Sequence, residues 1–239
     1  MKRYFALSLL VLFLACLIFP ARSLAQEDRA RIDKASIPAV AGAVNNFVPA
    51  GWKIEEQVAG DLNGDTVPDY ALKLVEDKPA KDKDDTATER QRALVIVLRN
   101  KEGKLWRAAV TDSLLQCTRC GGAFYGVVES PANVKIEKGV LIVEQDHGSR
   151  ELSDLTYRFR YEPETQRFAL IGFDYRTVDR LTTDVMTEST NYLTGVRETF
   201  RGKGKRDLKS RKVVPKQKLY MEDVDNDKFE EDVSKRLGA

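Results

Sequence analysis

Between residues 51 and 200 the apolar positions alternate with polar ones in short runs, each bounded by glycine, asparagine or a charged turn. Asn133-Val134-Lys135-Ile136-Glu137 alternates, turns at Lys138-Gly139 and returns from Val140 to Gln145. Tyr157, Phe159 and Tyr161 interleave with Arg158 and Arg160, so the pattern predicts a strand with one aromatic and one basic face. Glu162 to Gln166 then turn the chain into Arg167 to Phe173, and residues 183–192 and 195–200 continue across Thr194-Gly195. Nearer the N-terminus, residues 52–60, 69–75, 93–99 and 104–111 are short and rich in β-branched or aromatic side chains. The link at 76–92 has almost no apolar side chain and reads as an exposed hairpin loop. Strands at turn-separated intervals predict a mainly β (α+β) fold, an antiparallel meander or sandwich-like sheet.

A different period precedes Gly51. Ser36-Ile37-Pro38 has a hydroxyl near a cap and a proline for the first turn. Ala39, Val40, Ala43, Val44 and Phe47 follow at helical spacing, and Pro49-Ala50-Gly51 ends the run. One N-terminal helix lying against the sheet is the expectation. Residues 26–35 are charged and unpatterned, and are expected to fray.

Met1-Lys2-Arg3, an uncharged run from Tyr4 to Phe19, and Ser23-Leu24-Ala25 have the order of a secretory signal cleaved before Gln26. The run is short for a membrane span of roughly 20 residues, and no later stretch is long and apolar enough to cross a bilayer. Leu14-Ala15-Cys16 has the look of a lipobox, but Leu17-Ile18-Phe19 prolong the apolar run where a lipidated cysteine would be followed by a polar tether. Cleavage, with a periplasmic or secreted product, is the preferred reading over a lipoprotein. Three domain-level segments follow: a signal peptide (1–25), a β-rich domain with its N-terminal helix (26–200), and a basic loop with an acidic C-terminal tail (201–239) packing on that domain. Removing the signal takes away Lys2, Arg3 and Arg22 and no acid, so the formal charge falls from +2 to −1. Global charge therefore gives no case for nucleic acid or for a membrane surface.

Candidate chemistry begins at Asp61-Leu62-Asn63-Gly64-Asp65-Thr66-Val67-Pro68-Asp69. Asp61, Asn63, Asp65 and Asp69 put side-chain oxygens at loop positions 1, 3, 5 and 9, with the Val67 carbonyl at position 7. That spacing wraps donors around one point, as Ca2+ wants from its oxygen ligands. Thr66 stands where a sharp turn usually has glycine, and Leu72 where an EF-hand has glutamate, so the affinity expected is modest, about 10⁻⁴–10⁻³ M. A plain acidic turn on Asn63-Gly64 is the alternative. Asp223, Asp225, Asp227 and Glu231 repeat the spacing, with Lys228 at the glycine position. There a solvated acidic tail is preferred, although Val233 and Leu237 fit a terminal helix.

The segment DLNGDTVPDYAL resembles the calcium loop of FG-GAP/VCBS-type secreted proteins. The wider layout is similar to a poorly characterised family of exported bacterial proteins: one such loop (Asp61 to Asp69), a C-x-x-C-G-G segment (Cys117 to Gly122), a Gly148-Ser149 turn and an aromatic strand (Thr156 to Tyr161). By order of motifs it spans roughly residues 50–200. It implies an exported β-protein with a calcium-type loop and no established activity; so few loops do not build a propeller.

Three further features stay open. Cys117 and Cys120 should pair in an oxidising compartment, as a structural clip, as a redox-active pair, or (with too few other ligands for zinc) as part of a metal site. His147, the single histidine, is flanked by Asp146 and Ser149, but neighbours on a strand rarely face one another, so a turn histidine is preferred to a hydrolase triad. Residues 201–218 hold nine basic side chains and one acidic. They read either as a solvated hairpin loop or as a contact for an anionic envelope component. The preferred function is an exported, non-catalytic binding or envelope-associated protein of unknown ligand. The alternative is a periplasmic enzyme, either a thiol-disulfide oxidoreductase at the cysteine pair or a hydrolase.

Overall fold

The computed structural model describes residues 31–79, 88–126, 128–203 and 206–238. The expected signal segment, Cys16 included, lies outside them. In chain order the strands are β1 (Val40–Ala41), β2 (Trp52–Gly60), β3 (Asp69–Glu76), β4 (Arg92–Arg99), β5 (Leu105–Thr111), β6 (Ala132–Glu137), β7 (Val140–Gly148), β8 (Glu151–Glu162), β9 (Arg167–Asp179), β10 (Val185–Asn191), β11 (Val196–Lys203) and β12 (Arg206–Val213). One α-helix, α1 (Asn226–Leu237), follows. The strands form two antiparallel sheets, ordered β1-β5-β4-β3-β2 and β12-β11-β10-β9-β8-β7-β6. The fold is mainly β, as the strand pattern predicts; most limits agree with the sequence to within three residues, but β8 starts and β9 ends five or six residues beyond them.

The two sheets differ in how they meet water. Strand β4 is buried along nearly all its length because both its faces are covered. Leu94, Ile96 and Leu98 join the layer between the sheets. Ala93, Val95 and Val97 pack instead beneath Ile32, Ile37 and Phe47 of the N-terminal segment. A strand covered on both sides needs an unbroken apolar run, and Ala93 to Leu98 supplies it. Strand β8 alternates. Tyr157 and Phe159 are fully buried against Phe173 and the small sheet, while Arg158 and Arg160 point to solvent. Each such buried aromatic contributes about 1.5–3 kcal/mol of burial.

The N-terminal helix is not formed. Val40–Ala41 pair with Trp106 and Leu105 of β5, and Val44–Phe47 make only a 3-10 turn. Gly42 in mid-run costs a helix about 1 kcal/mol relative to alanine, and Val40 and Val44 are β-branched. An open β5 edge offers the same residues a ladder, and the Arg107 N–H donates to the Ala39 carbonyl (3.0 Å).

The segment expected as basic loop and acidic tail is also built into the fold. Residues 206–213 are the outermost strand of the large sheet rather than a loop. Past it, Met221, Val224, Val233 and Leu237 are all buried in the inter-sheet core. Asp225 caps α1 by accepting from the Lys228 N–H (3.2 Å), and Gly238, at φ +68°, closes its other end. Among the described residues no helix is long and apolar enough to cross a membrane.

Candidate functional site

Strand β2 ends at Gly60 opposite Asp69, where β3 begins, so residues 61–68 are the loop of that hairpin. The loop is organised by its own side chains. Asp61 accepts from the N–H groups of Gly64 (2.7 Å) and Thr66 (2.9 Å). The Asn63 side-chain Oδ1 accepts from the Asp65 N–H (3.0 Å), and the Asp65 carboxylate accepts from the Val67 N–H (2.8 Å). Thr66 sits at φ +72°, so the left-handed turn expected of glycine is made by a β-branched residue. The two-residue Asn63-Gly64 hairpin does not form; the turn is wider.

Asp69 has another role. It is fully buried, and its two oxygens accept from the Leu62 and Arg99 N–H groups, both at 2.8 Å. It therefore pins the loop to the end of β4. Burial pushes its pKa up and the Asp65 charge adds to that, while the donors from Arg99 and Leu62 oppose the rise. Among the described residues, Asp61, Asp65 and Asp69 do not form a trio with oxygens all within 4.8 Å of one another. The donor set remains that of a hard cation: carboxylates and an amide oxygen, each able to accept again beyond its loop N–H.

Cys117 and Cys120 form a disulfide in the loop between β5 and β6. No helix begins there, so the dipole that lowers a thioredoxin-type thiol is absent. The loop is held from several sides. Arg92, buried and paired with Glu55 (2.7 and 2.8 Å), donates to the Ser130 carbonyl (2.8 Å). Gly122 lies where a β-carbon would fall 2.6 Å from the Gly148 carbonyl oxygen, which excludes any side chain there. Cys117 is buried, whereas Cys120 is exposed. The trio whose ligand atoms do lie within 4.8 Å is Glu89, Cys117 and Cys120, but both sulfurs are committed to the disulfide.

His147 faces neither flanking residue. Alternation along β7 turns Asp146 to the opposite face, where it accepts from the Tyr125 hydroxyl and, together with burial, pushes that phenol up to about 12. The His147 Nε2 meets Glu230 of α1 at 2.8 Å. That bond to Glu230 raises the imidazole pKa, burial opposes the rise, and the charges of Glu230, Asp146 and Asp227 add to it. Ser149 is past the strand end, so no local triad is assembled. The Glu230 partner, far off in sequence, carried no signal that spacing could reveal. His147, Glu230, Asp227 and the disulfide line one small cleft of about 100 Å³.

A larger cavity lies elsewhere. Register carries the face of Tyr157 and Phe173 across β10 to β12 onto Thr190, Arg197 and Lys212, from aromatic to polar and charged. Met186, Arg201, Leu208 and Leu237 line a trough of about 750 Å³ there. A second hollow of about 360 Å³ beside it shares Arg201 and Leu208 and adds Glu188, Arg197, Lys212 and Arg236. Glu188 is almost fully buried and binds Arg236 at 2.6 and 2.9 Å, which ties α1 to β10. Sequence reasoning placed β10 and most of β11 but missed the trough because it read β12 as part of a basic loop.

These features define a two-sheet antiparallel β-protein with an organised acidic turn, a disulfide-clipped loop and an open trough on its outer strands. No family model, no curated protein and no solved structure matches the chain.

Proposed function

We propose that this chain is an exported, non-catalytic binding protein, secreted or associated with the cell envelope, whose Asp61–Asp69 loop is fastened by calcium. The observation that carries the binding role is the open trough on β10–β12 beside the end of α1, lined by Met186, Leu208 and Leu237 together with charged residues of both signs. Sites of this kind are concave, largely preformed and lined by apolar groups with a few polar ones. The fastening role is supported by the oxygen-rich loop and by its likeness to FG-GAP/VCBS-type loops. Asp61, Asn63, Asp65 and the Val67 carbonyl would hold the ion, with Asp69 behind them. Export is supported by the n-region, apolar run and small cleavage residues of segment 1–25. Titrating calcium into the chelator-treated protein and following its melting tests the loop. A rise in melting temperature that Asp65→Ala abolishes supports the reading, and an unchanged melt overturns it.

A second reading, a thiol-disulfide oxidoreductase, is favoured by the exposure of Cys120 and by the cleft it shares with His147. Mild dithiol treatment followed by thiol alkylation separates the two. A redox-active pair labels rapidly in the folded protein; a structural clip labels only on unfolding.

A further inference from the structure

Strand β12 is the outer edge of the seven-stranded sheet, and among the described residues no strand pairs with its free side. The Val214 N–H donates to the Gly195 carbonyl (2.8 Å), and register opposes Val196 to Val213 and Arg197 to Lys212. Antiparallel ladders bond at alternate residues. Leu208, Ser210 and Lys212 therefore turn their backbone groups toward β11, and Asp207, Lys209, Arg211 and Val213 turn theirs outward. Four consecutive outward sites are enough to seat an added strand.

The chemistry of that edge selects what can be added. From Val196 to Val213 the sequence holds eight basic and two acidic residues. Arg211 is paired only loosely with Glu198, at 3.5 Å on the surface, and among the described residues no carboxylate pairs with Lys203, Lys209 or Lys212. Leu208 is 67 % and Val213 85 % exposed. A second copy placed edge to edge would bring these cations together, which is unfavourable across a strand pair. An acidic strand would neutralise them. Its side chains on the inner face would extend the trough floored by Met186, Leu208 and Leu237.

We propose that the free edge of β12 is a docking strand for an extended acidic polypeptide segment, which adds to the large sheet as an eighth strand with an apolar side chain over Leu208. Main-chain bonds supply affinity in such additions, and the flanking side chains supply specificity. This inference rests on the reading of the chain as a binding protein and names its partner class.

The test uses the full mature chain and a fluorescein-labelled ten-residue peptide in which Glu alternates with Thr and Val. A second peptide of the same charge carries proline at alternate positions and cannot donate a ladder. Anisotropy should show saturable binding of the first peptide, with at least tenfold weaker binding of the second. Lys209→Pro removes one outward N–H without touching the β11 ladder, since proline is tolerated on the solvent side of an edge strand. It should weaken binding at least tenfold, and Lys209→Glu/Lys212→Glu should do the same should the proline variant fail to fold. Three outcomes would overturn the proposal: no binding of the first peptide; equal binding of the two peptides; or displacement of the first by phosphatidylglycerol vesicles with no effect of either variant, which would mark an unspecific cationic surface. Binding measured in chelator separates this edge from the acidic loop, because peptide capture there stands whether or not calcium shifts the melt.

Discussion

Asp61–Asp69 and Asp223–Glu231 place oxygen-bearing side chains at the same four relative positions, yet one closes a hairpin and the other starts a helix. What separates them is the sequence on either side. Pro68 bars a helix after the first, and Tyr70 to Val75 run on almost without a polar break into a strand buried on both faces. After the second, Phe229, Val233 and Leu237 recur every four residues and lay an apolar stripe on the core. The carboxylates then take whatever work the backbone offers. In the first, Asp61, Asn63 and Asp65 satisfy turn N–H groups of a single loop. In the second, Asp225 caps, Glu230 reaches His147, and Glu231 pairs with Lys235 on the surface. Spacing of acids alone therefore does not specify a loop; the apolar pattern of the flanks decides.

The ninth position of each copy gives the widest predicted gap. Asp69→Ala leaves the buried Leu62 and Arg99 N–H groups without an acceptor and should cost about 2–4 kcal/mol. Glu231→Ala removes an exposed i,i+4 pair and should change stability by less than about 0.5 kcal/mol. Urea melts of the two variants check this, and equal effects would break the comparison. At the sixth position the signs should oppose. Thr66→Gly relieves a left-handed threonine and should stabilise by about 1 kcal/mol, whereas Lys228→Gly in the first turn of α1 should destabilise by about 0.5–1 kcal/mol. The smallest effect concerns pH. His147 has a folded-state pKa above its unfolded value through Glu230, so its contribution is complete below about pH 6.5 and fades as pH rises through the folded pKa. Glu230→Gln should flatten that slope in melts taken between pH 5 and 8.

The β architecture was legible because pattern and environment agree strand by strand. Arg158 and Arg160 between aromatic residues reported a one-sided strand, and residues 93–99 read as a strand, whose burial on both faces only the folded protein shows. The turns at Lys138-Gly139 and Glu162 to Gln166 also fall between strands as read. What stayed hidden depends on distant partners. Helical spacing in Ala39 to Phe47 competed with an open β5 edge that only the folded sheet provides. The basic run at 206–213 has little apolar alternation because, as an edge strand, it buries almost nothing. Within the candidate site, the Asx-type turns of Asp61 and Asp65 follow from local spacing. The buried anchoring of Asp69 to Arg99 and the His147–Glu230 pair join residues 30 and 83 positions apart, beyond reach of any local motif.

We propose that the first acidic segment, and not the second, holds calcium. Differential melting of wild type, Asp65→Ala and Asp227→Ala in chelator and in 10 mM calcium tests it most directly. For a dissociation constant of about 10⁻⁴–10⁻³ M, the ion should add about 1.4–2.7 kcal/mol, or roughly 3–10 °C. That rise is expected in wild type and Asp227→Ala and should be lost in Asp65→Ala. Identical melts with and without calcium in all three proteins would contradict it.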